Sequence, residues 1–505
     1  MGIGNKFFHI YPHIRFMGYI FVNKLKMNYK MLFHTVGQIL KVEAGLLLLP
    51  LFIAIVKGEK TIFAFCLTIA LTAILSAIFT LIPVRKKQMY APEGLIIVAF
   101  SWIIMSLIGA LPLYLSDLGF KYIDCLFETV SGFSTTGATI IENVDILPKS
   151  INFWRCFTHW IGGMGILVFV MALLPNNEMR SMYILRAEVP GPVTGKLVAK
   201  TKINARILYA IYISLTLFEA FLLRVGGNTL FDSVTLAFST AGTGGFCSYN
   251  ASIGVYNSAY TEIVIIVFMI LFSLNFNLFY LMLIKQAKRA FRSEELFTFV
   301  GIVFVSFLII TANIYPLYNS IGESARNSLF WVSSIISTTG FGTVDINAWP
   351  KLSQHLLLIL MFIGGCVGST AGGLKISRII IIFKNFIRGL KRTLSPGTVT
   401  TLKVDGTAVS EETVHGVTTY ITIIFGVIVT SFLVVSRDNF DLTTSFTSVV
   451  SCVNNVGPLL GGFTTFASFS PLSKIVLIFD MLIGRLEVFP ILVLFAKSTW
   501  KKAIK

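Results

Sequence analysis

The run Ser134-Thr135-Thr136-Gly137-Ala138-Thr139 recurs through this chain in four versions. The second is Ser239-Thr240-Ala241-Gly242-Thr243-Gly244-Gly245-Phe246, and the third is Ser337-Thr338-Thr339-Gly340-Phe341-Gly342. The fourth, more loosely related, is Asn454-Asn455-Val456-Gly457-Pro458. Each follows an apolar stretch too short to cross a bilayer and precedes one long enough to do so. Small residues, hydroxyls and a glycine between two membrane spans match the needs of a backbone-carbonyl ion filter. A dehydrated cation requires several oxygens at once, and successive carbonyls turned toward one axis supply them. Glycine permits the backbone angles that aim those carbonyls.

Composition sets the frame for these loops. The chain has 505 residues, is 55% hydrophobic and 13% charged, and has a mean hydropathy of +0.80. That is the signature of an integral membrane protein, since a soluble core of this size would carry far more surface charge. A net charge of +17 raises nucleic acid as a partner. The basic residues cluster in loops between apolar spans, which argues against it. The basic, aromatic N-terminal stretch does not read as a cleavable signal peptide, and Met1-Gly2 lacks the later Ser or Thr of a myristoylation signal. Six dispersed cysteines and six dispersed histidines form no CxxC, HExxH or other metal-ligand spacing. The cysteines read as small packing residues, and no covalent cofactor or catalytic metal is expected.

Residues 1–41 are basic and amphipathic and are expected to lie on the cytoplasmic membrane surface. Apolar runs at 44–56, extending back toward 36, and at 61–83 make a hairpin turned at Lys57-Gly58-Glu59-Lys60, giving an N-terminal region 1–90. From residue 91 a unit repeats: long span, half-length segment, glycine loop, long span. The long spans fall near 94–115 and 152–175, 207–223 and 260–284, 296–315 and 354–383, and 416–435 and 472–496. The short segments are 122–133, 229–238, 328–336 and 442–453, so the units occupy 91–180, 205–290, 291–395 and 413–498. A period of this kind is a strong architectural signal. The expected fold is an all-α integral membrane protein of about ten spans, with four repeated units around a pseudo-fourfold pore.

Charge orients the chain. With the N-terminus inside, the cytoplasmic segments hold 30 of the 41 Lys and Arg residues, so both termini are expected in the cytoplasm. The glycine loops then face outward, flanked by Asp117, Asp124, Glu128, Glu142, Asp145, Glu323, Asp345, Asp438 and Asp441. Acids there concentrate cations at a mouth, or are simply solvated loop residues.

The candidate ion-binding groups are the carbonyls of Thr135, Thr136 and Gly137, of Thr243, Gly244 and Gly245, of Thr338, Thr339 and Gly340, and of Asn455, Val456 and Gly457. The hydroxyls of Thr136 and Thr339 are candidates for an additional coordinating ring. The short helices would direct their negative C-terminal ends at the ion. In the second loop both Gly242 and Gly245 fit a register, and Gly245 is preferred because it shares Gly-Phe with Gly340-Phe341. The competing reading is that the four loops are helix breaks and tight packing sites.

These loops, together with Phe153-Trp154-Arg155, Trp160-Ile161-Gly162-Gly163-Met164-Gly165, the glycine-rich stretch 364–373, Asn455-Val456-Gly457-Pro458 and Gly484-Arg485-Leu486-Glu487, resemble the membrane subunit of Trk-type potassium uptake systems, in the Trk/Ktr/HKT superfamily. The likeness runs over nearly the whole chain, N-terminal hairpin included. It implies a potassium pathway along the pseudo-fourfold axis, a homodimer in the cell membrane, and a separate cytoplasmic nucleotide-binding regulatory subunit. It also implies glycine at all four filter positions.

The stretch containing Gly364, Gly365, Gly368, Ser369, Thr370, Gly372 and Gly373 interrupts an apolar span. Unwound backbone at membrane depth must be buried or line a wet cavity, which makes this stretch a candidate gate; a kink without a gating role is the alternative. Arg485 lies mid-span, where a charge is costly and is functional or paired. The resemblance implies that it faces the pore beside the glycine-rich stretch, whereas pairing with Glu487 or Asp480 is the structural alternative. Arg155 and His159 are expected to be interfacial or packing residues. A potassium-binding subunit of an ATP-driven pump is the nearest rival function. A membrane enzyme lacks support, because no Walker motif, GxGxxG or paired His ligands occur. The basic segments 180–206 and 375–403 are candidate docking surfaces, or contacts with anionic lipid.

Overall fold

The computed structural model describes residues 28–84, 91–165, 201–395, 400–461 and 465–496. Helix α1 (Tyr29–Leu46) runs into α2 (Leu48–Lys57) with only Leu47 between them, so residues 29–41 belong to the first span rather than to a separate surface segment. The remainder of the expected surface segment lies outside the described residues. Pro50 has no amide hydrogen to continue the ladder at the junction. Gly58, left-handed at φ 64°, ends α2, and α3 (Ile62–Thr80) returns beside α1. Small residues allow that approach: Ser76 Oγ donates to the Gly37 carbonyl at 2.8 Å. The hairpin turn also serves the next domain. The Glu59 carboxylate accepts from the amides of Lys149 (2.8 Å) and Ser150 (3.1 Å), supplying the N-terminal cap that Pro148 cannot.

Four assemblies of helices follow. The first has α4 (Ala91–Gly109), α5 (Leu111–Tyr114), α6 (Tyr122–Phe133) and α7 (Lys149–Gly163). The second has α8 (Thr201–Val225), α9 (Leu230–Gly242), α10 (Ala259–Ser273), α11 (Phe276–Leu283) and the turn α12 (Ala287–Ala290). The third has α13 (Glu294–Tyr318), α14 (Ile321–Ile336), α15 (Lys351–Ile363) and α16 (Ile376–Leu394). After a two-strand turn, β1 (Lys403–Val404) against β2 (Thr407–Ala408), the fourth has α17 (Glu411–Val435), α18 (Leu442–Val453), α19 (Pro471–Leu486) and α20 (Phe489–Phe495).

The short helices α6, α9, α14 and α18 are buried among the long ones. Each packs on the helix that opens the preceding assembly's second span: α9 on α7, α14 on α10, α18 on α15, and α6 on α19. The last contact closes the series into a ring. The outer faces of the long helices expose large apolar side chains, among them Phe52, Phe63, Leu217, Phe221, Phe297, Phe304, Phe425 and Leu433. Such a continuous apolar exterior suits hydrocarbon and not water.

Ten uninterrupted spans are not what the helices provide. Among the described residues six are long and apolar enough to cross a membrane, or seven if α10 and α11, bent by 90°, count as one. The expected continuous span 260–284 breaks at Leu274-Asn275, where the Asn275 side chain caps α11 through the Asn277 amide at 2.9 Å. The expected span 472–496 breaks at Glu487 and Val488, both at positive φ (59° and 60°). The span 354–383 breaks at 364–373, as its glycines suggested. The span 152–175 is helical to Gly163, and residues 166–175 lie outside the described residues.

Candidate functional site

All four short helices end in one piece of hydrogen bonding. In α6 the amide of Thr135 donates to Gly132 O (3.1 Å) and that of Thr136 to Ser131 O (2.9 Å). The pattern repeats as Thr243 to Thr240 and Gly244 to Ser239, as Thr338 to Ile335 and Thr339 to Ser334, and as Asn455 to Cys452 and Val456 to Ser451. This is the Schellman closure, which needs a left-handed residue just past the helix. Thr135, Thr243, Thr338 and Asn455 are that residue, at φ 57°, 54°, 56° and 54°. Two positions on, Gly137, Gly245, Gly340 and Gly457 have φ 79°, 81°, 80° and 102°. The register of the second loop follows from this geometry. Gly245 occupies the shared position, whereas Gly242 is the last residue of α9.

The glycines answer a second demand, which is close approach. A Cβ on Gly137 would run into the Gly244 carbonyl, one on Gly245 into Thr339 O, one on Gly340 into Val456 O, and one on Gly457 into Thr136 O. Loop one thus abuts loop two, two abuts three, three abuts four and four returns to one. The carbonyls that meet the glycines belong to the same register position in every loop. Positive φ and backbone proximity together exclude any other residue at these four places.

The hydroxyls of Thr136 and Thr339, the candidates for a coordinating ring, hydrogen-bond to neighbouring protein groups. Thr136 Oγ1 pairs with Ser134 Oγ at 2.7 Å and accepts from Asn455 Nδ2 at 2.9 Å. Thr339 Oγ1 pairs with Ser337 Oγ at 2.7 Å. Thr243 Oγ1 donates to its neighbour Gly242 O, and Thr338 Oγ1 accepts from the Gly372 amide at 2.7 Å. These bonds pin the loops to one another and to the stretch 364–373.

The stretch 364–373 is largely buried backbone, many of whose polar groups find protein partners. Cys366 N donates to Ser273 O (2.9 Å), Thr370 N to Phe272 O (3.3 Å), and Phe276 N to Gly368 O (3.1 Å). The break between α10 and α11 is therefore the surface on which this loop rests, each satisfying the groups that the other frees. Val367 N donates to Glu295 Oε1 at 2.8 Å, and Gly373 N to Asn454 O at 3.0 Å. Gly364, Gly368 and Gly373 have φ 72°, 69° and 77°. Gly365 faces Ser273, Ser369 Oγ donates to Cys366 O at 2.6 Å, and Gly372 packs on Asn454 O. Arg485, in the last turn of α19, donates to Thr370 O (2.9 Å) and to Gly162 O and Gly163 O (2.6 Å each). Glu487 pairs with Arg378 at 2.6 Å, and Asp480 accepts from Ser431 Oγ at 2.8 Å.

Several flanking acids have structural work. Glu128 is buried; it pairs with Arg155 at 2.7 Å and accepts from Thr139 Oγ1 and the Ile140 amide. Asp124 pairs with Lys474 at 2.7 Å, and Asp438 accepts the Ser470 amide at 2.9 Å. Asp117, Glu142, Asp145, Glu323 and Asp441 are exposed. Asp441 accepts the Thr444 amide at 3.1 Å and so caps α18. Arg155 and His159 are fully enclosed rather than interfacial. The Arg155 guanidinium lies 4.3 Å from the Phe246 ring centroid. The His159 ring touches both α6 and the second loop. Neither role was legible, because both partners lie far away in sequence. Among the described residues no group of three or more His, Cys, Asp or Glu could hold a metal ion.

Comparison with known proteins agrees with this architecture. Residues 60–503 match the TrkH family, described as cation transport proteins. The chain is similar to the Trk system potassium uptake protein TrkH of Salmonella typhimurium, at 34% identity over 94% of this chain and all of that one. It is 32% identical to the Trk system potassium uptake protein TrkG of Escherichia coli, over 93% of this chain and 98% of that one. The crystal structure of the potassium transporter TrkH from Vibrio parahaemolyticus superposes with a TM-score of 0.86 at 31% identity, covering 94% of this chain and all of that one. The chain is a multi-span membrane protein of the TrkH family of cation transport proteins, not an enzyme.

Proposed function

We propose that this protein takes up potassium across the cytoplasmic membrane through a filter made by its four glycine loops. In this reading residues 1–90 are an N-terminal hairpin, and 91–180, 205–290, 291–395 and 413–498 are pore units around a pseudo-fourfold axis, ten spans in all. The observation that carries the proposal is the closed series of glycine-to-carbonyl approaches, from Gly137 to Gly244 and round to Gly457 and Thr136. A ring of four backbones at one register gathers carbonyl oxygens as a desolvated monovalent cation requires. The 364–373 loop with Arg485 is the gate, since a fixed cation and a buried loop beneath a filter oppose passage until they move. The protein works as a homodimer with both termini in the cytoplasm. A separate nucleotide-binding subunit docks on basic cytoplasmic surface such as Lys391 and Arg392, which are exposed on α16.

The test is flux of K⁺, Rb⁺, Na⁺ and Li⁺ in liposomes for wild type and Gly340→Ser. Selective K⁺ and Rb⁺ flux that loses its preference in the folded mutant supports the filter. Unaltered selectivity removes Gly340 from it, and wild-type flux that does not favour K⁺ overturns the proposal.

A further inference from the structure

The four loops differ at the position just after the left-handed residue: Thr136, Gly244, Thr339 and Val456. Three of them carry a buried side chain there. Those of Thr136 and Thr339 are pinned by Ser134 and Ser337. The second loop has none. Its glycine is not required by backbone angle, because Gly244 lies outside the positive-φ residues. It is required by space: a Cβ there would fall on Cγ, Nδ1 and Cδ2 of His159.

We propose that His159, reaching in from α7, fills the place of the side chain that the second loop lacks and so positions that loop for ion selectivity. The hydrogen bonds fit the role. His159 Nε2 accepts the Phe246 amide at 3.2 Å, so Nδ1 carries the proton and donates to Gly132 O at 2.8 Å. An amide only donates and a carbonyl only accepts, which fixes this neutral tautomer. The ring also lies 4.2 Å from the Phe246 ring, centroid to centroid. One imidazole thus ties the end of α6 to the loop that holds Gly244 and Gly245. A packing histidine would fill volume somewhere in the core; this one fills the register position that the other loops fill for themselves.

The inference rests on the filter reading, and the experiment separates the two. Relative K⁺ and Na⁺ flux in liposomes, with thermal midpoints, is measured for wild type, His159→Ala, His159→Gln, Gly244→Val and the double variant His159→Ala with Gly244→Val. His159→Ala is expected to reduce the K⁺ preference by about tenfold, the equivalent of one buried hydrogen bond. His159→Gln keeps a donor and an acceptor and is expected to retain most of the preference. Gly244→Val alone collides with the ring and loses it. The double variant, which gives the second loop the residue found at Val456, is expected to recover both selectivity and midpoint. A folded His159→Ala with wild-type selectivity overturns the inference, as does a double variant no better than His159→Ala. If His159→Ala does not fold, the double variant decides by the same criterion. Should wild type show no K⁺ preference, the filter reading falls, and the midpoints alone then test whether valine replaces the ring.

Discussion

The guanidinium of Arg485 donates to the Thr370 carbonyl at 2.9 Å, fastening the last turn of α19 to the glycine-rich loop. Its second arm reaches Gly162 and Gly163 at the end of α7, so one side chain joins elements separated by hundreds of residues. Charge-assisted hydrogen bonds of this kind contribute about 1.5–3 kcal/mol each. Arg485→Gln is therefore expected to loosen the loop and raise basal K⁺ flux by roughly tenfold or more, since about 1.4 kcal/mol is a factor of ten. Liposome flux without any regulatory subunit measures this. Flux unchanged or lowered in a folded variant counts against Arg485 as a restraint on the loop.

Behind the first loop, the Glu128–Arg155 pair is enclosed on all sides. Removing one member leaves the other charge buried alone, at a cost of roughly 3–5 kcal/mol. Glu128→Ala is expected to lower the denaturation midpoint far more than Asp441→Ala, whose carboxylate is exposed and caps α18. Equal small losses would mean that the pair behaves as a solvated one.

Glycines separate into two kinds. Gly457 has φ 102° and faces Thr136 O, while Gly416 sits in α17 with open space where a Cβ would go. Gly416→Ala is expected to be neutral or to stabilise by up to about 1 kcal/mol. Gly457→Ala is expected to cost at least about 1–3 kcal/mol from backbone strain alone, with altered K⁺ over Na⁺ flux. Indistinguishable midpoints for the two variants would contradict the close approach of loops four and one.

What was legible in the sequence had local causes. The short helices at 122–133 and 442–453 begin and end where the apolar runs and turn residues put them. The glycine-rich break announced itself by composition. The break at Leu274-Asn275 did not, because its cause is a partner: the Phe276 amide finds Gly368 O, and Ser273 O finds Cys366 N, across nearly a hundred residues. The second loop's register is ambiguous in sequence because Gly242 fits the Ser-Thr-x-Gly pattern while Gly245 shares Gly-Phe with Gly340-Phe341. Backbone angle distinguishes them, and composition cannot. Glu128 read as a mouth acid because its partner Arg155 stands 27 positions away on another helix.

Thr338 links the third of the four loops directly to the glycine-rich stretch 364–373, since its Oγ1 accepts the Gly372 amide at 2.7 Å. Its counterpart Thr135 has a buried Oγ1 with no hydrogen-bond partner among the described residues. The two threonines share a backbone conformation, at φ 56° and 57°, so valine strains both positions alike and the difference isolates the hydroxyl. Thr338→Val strands the Gly372 amide, a penalty of about 1–3 kcal/mol beyond that shared strain. Thr135→Val removes an unpaired polar atom and avoids that penalty. Thr338→Val is accordingly expected to melt at the lower temperature and to conduct more readily without a regulatory subunit. Matching midpoints and matching basal flux would show that the Thr338–Gly372 bond restrains neither element.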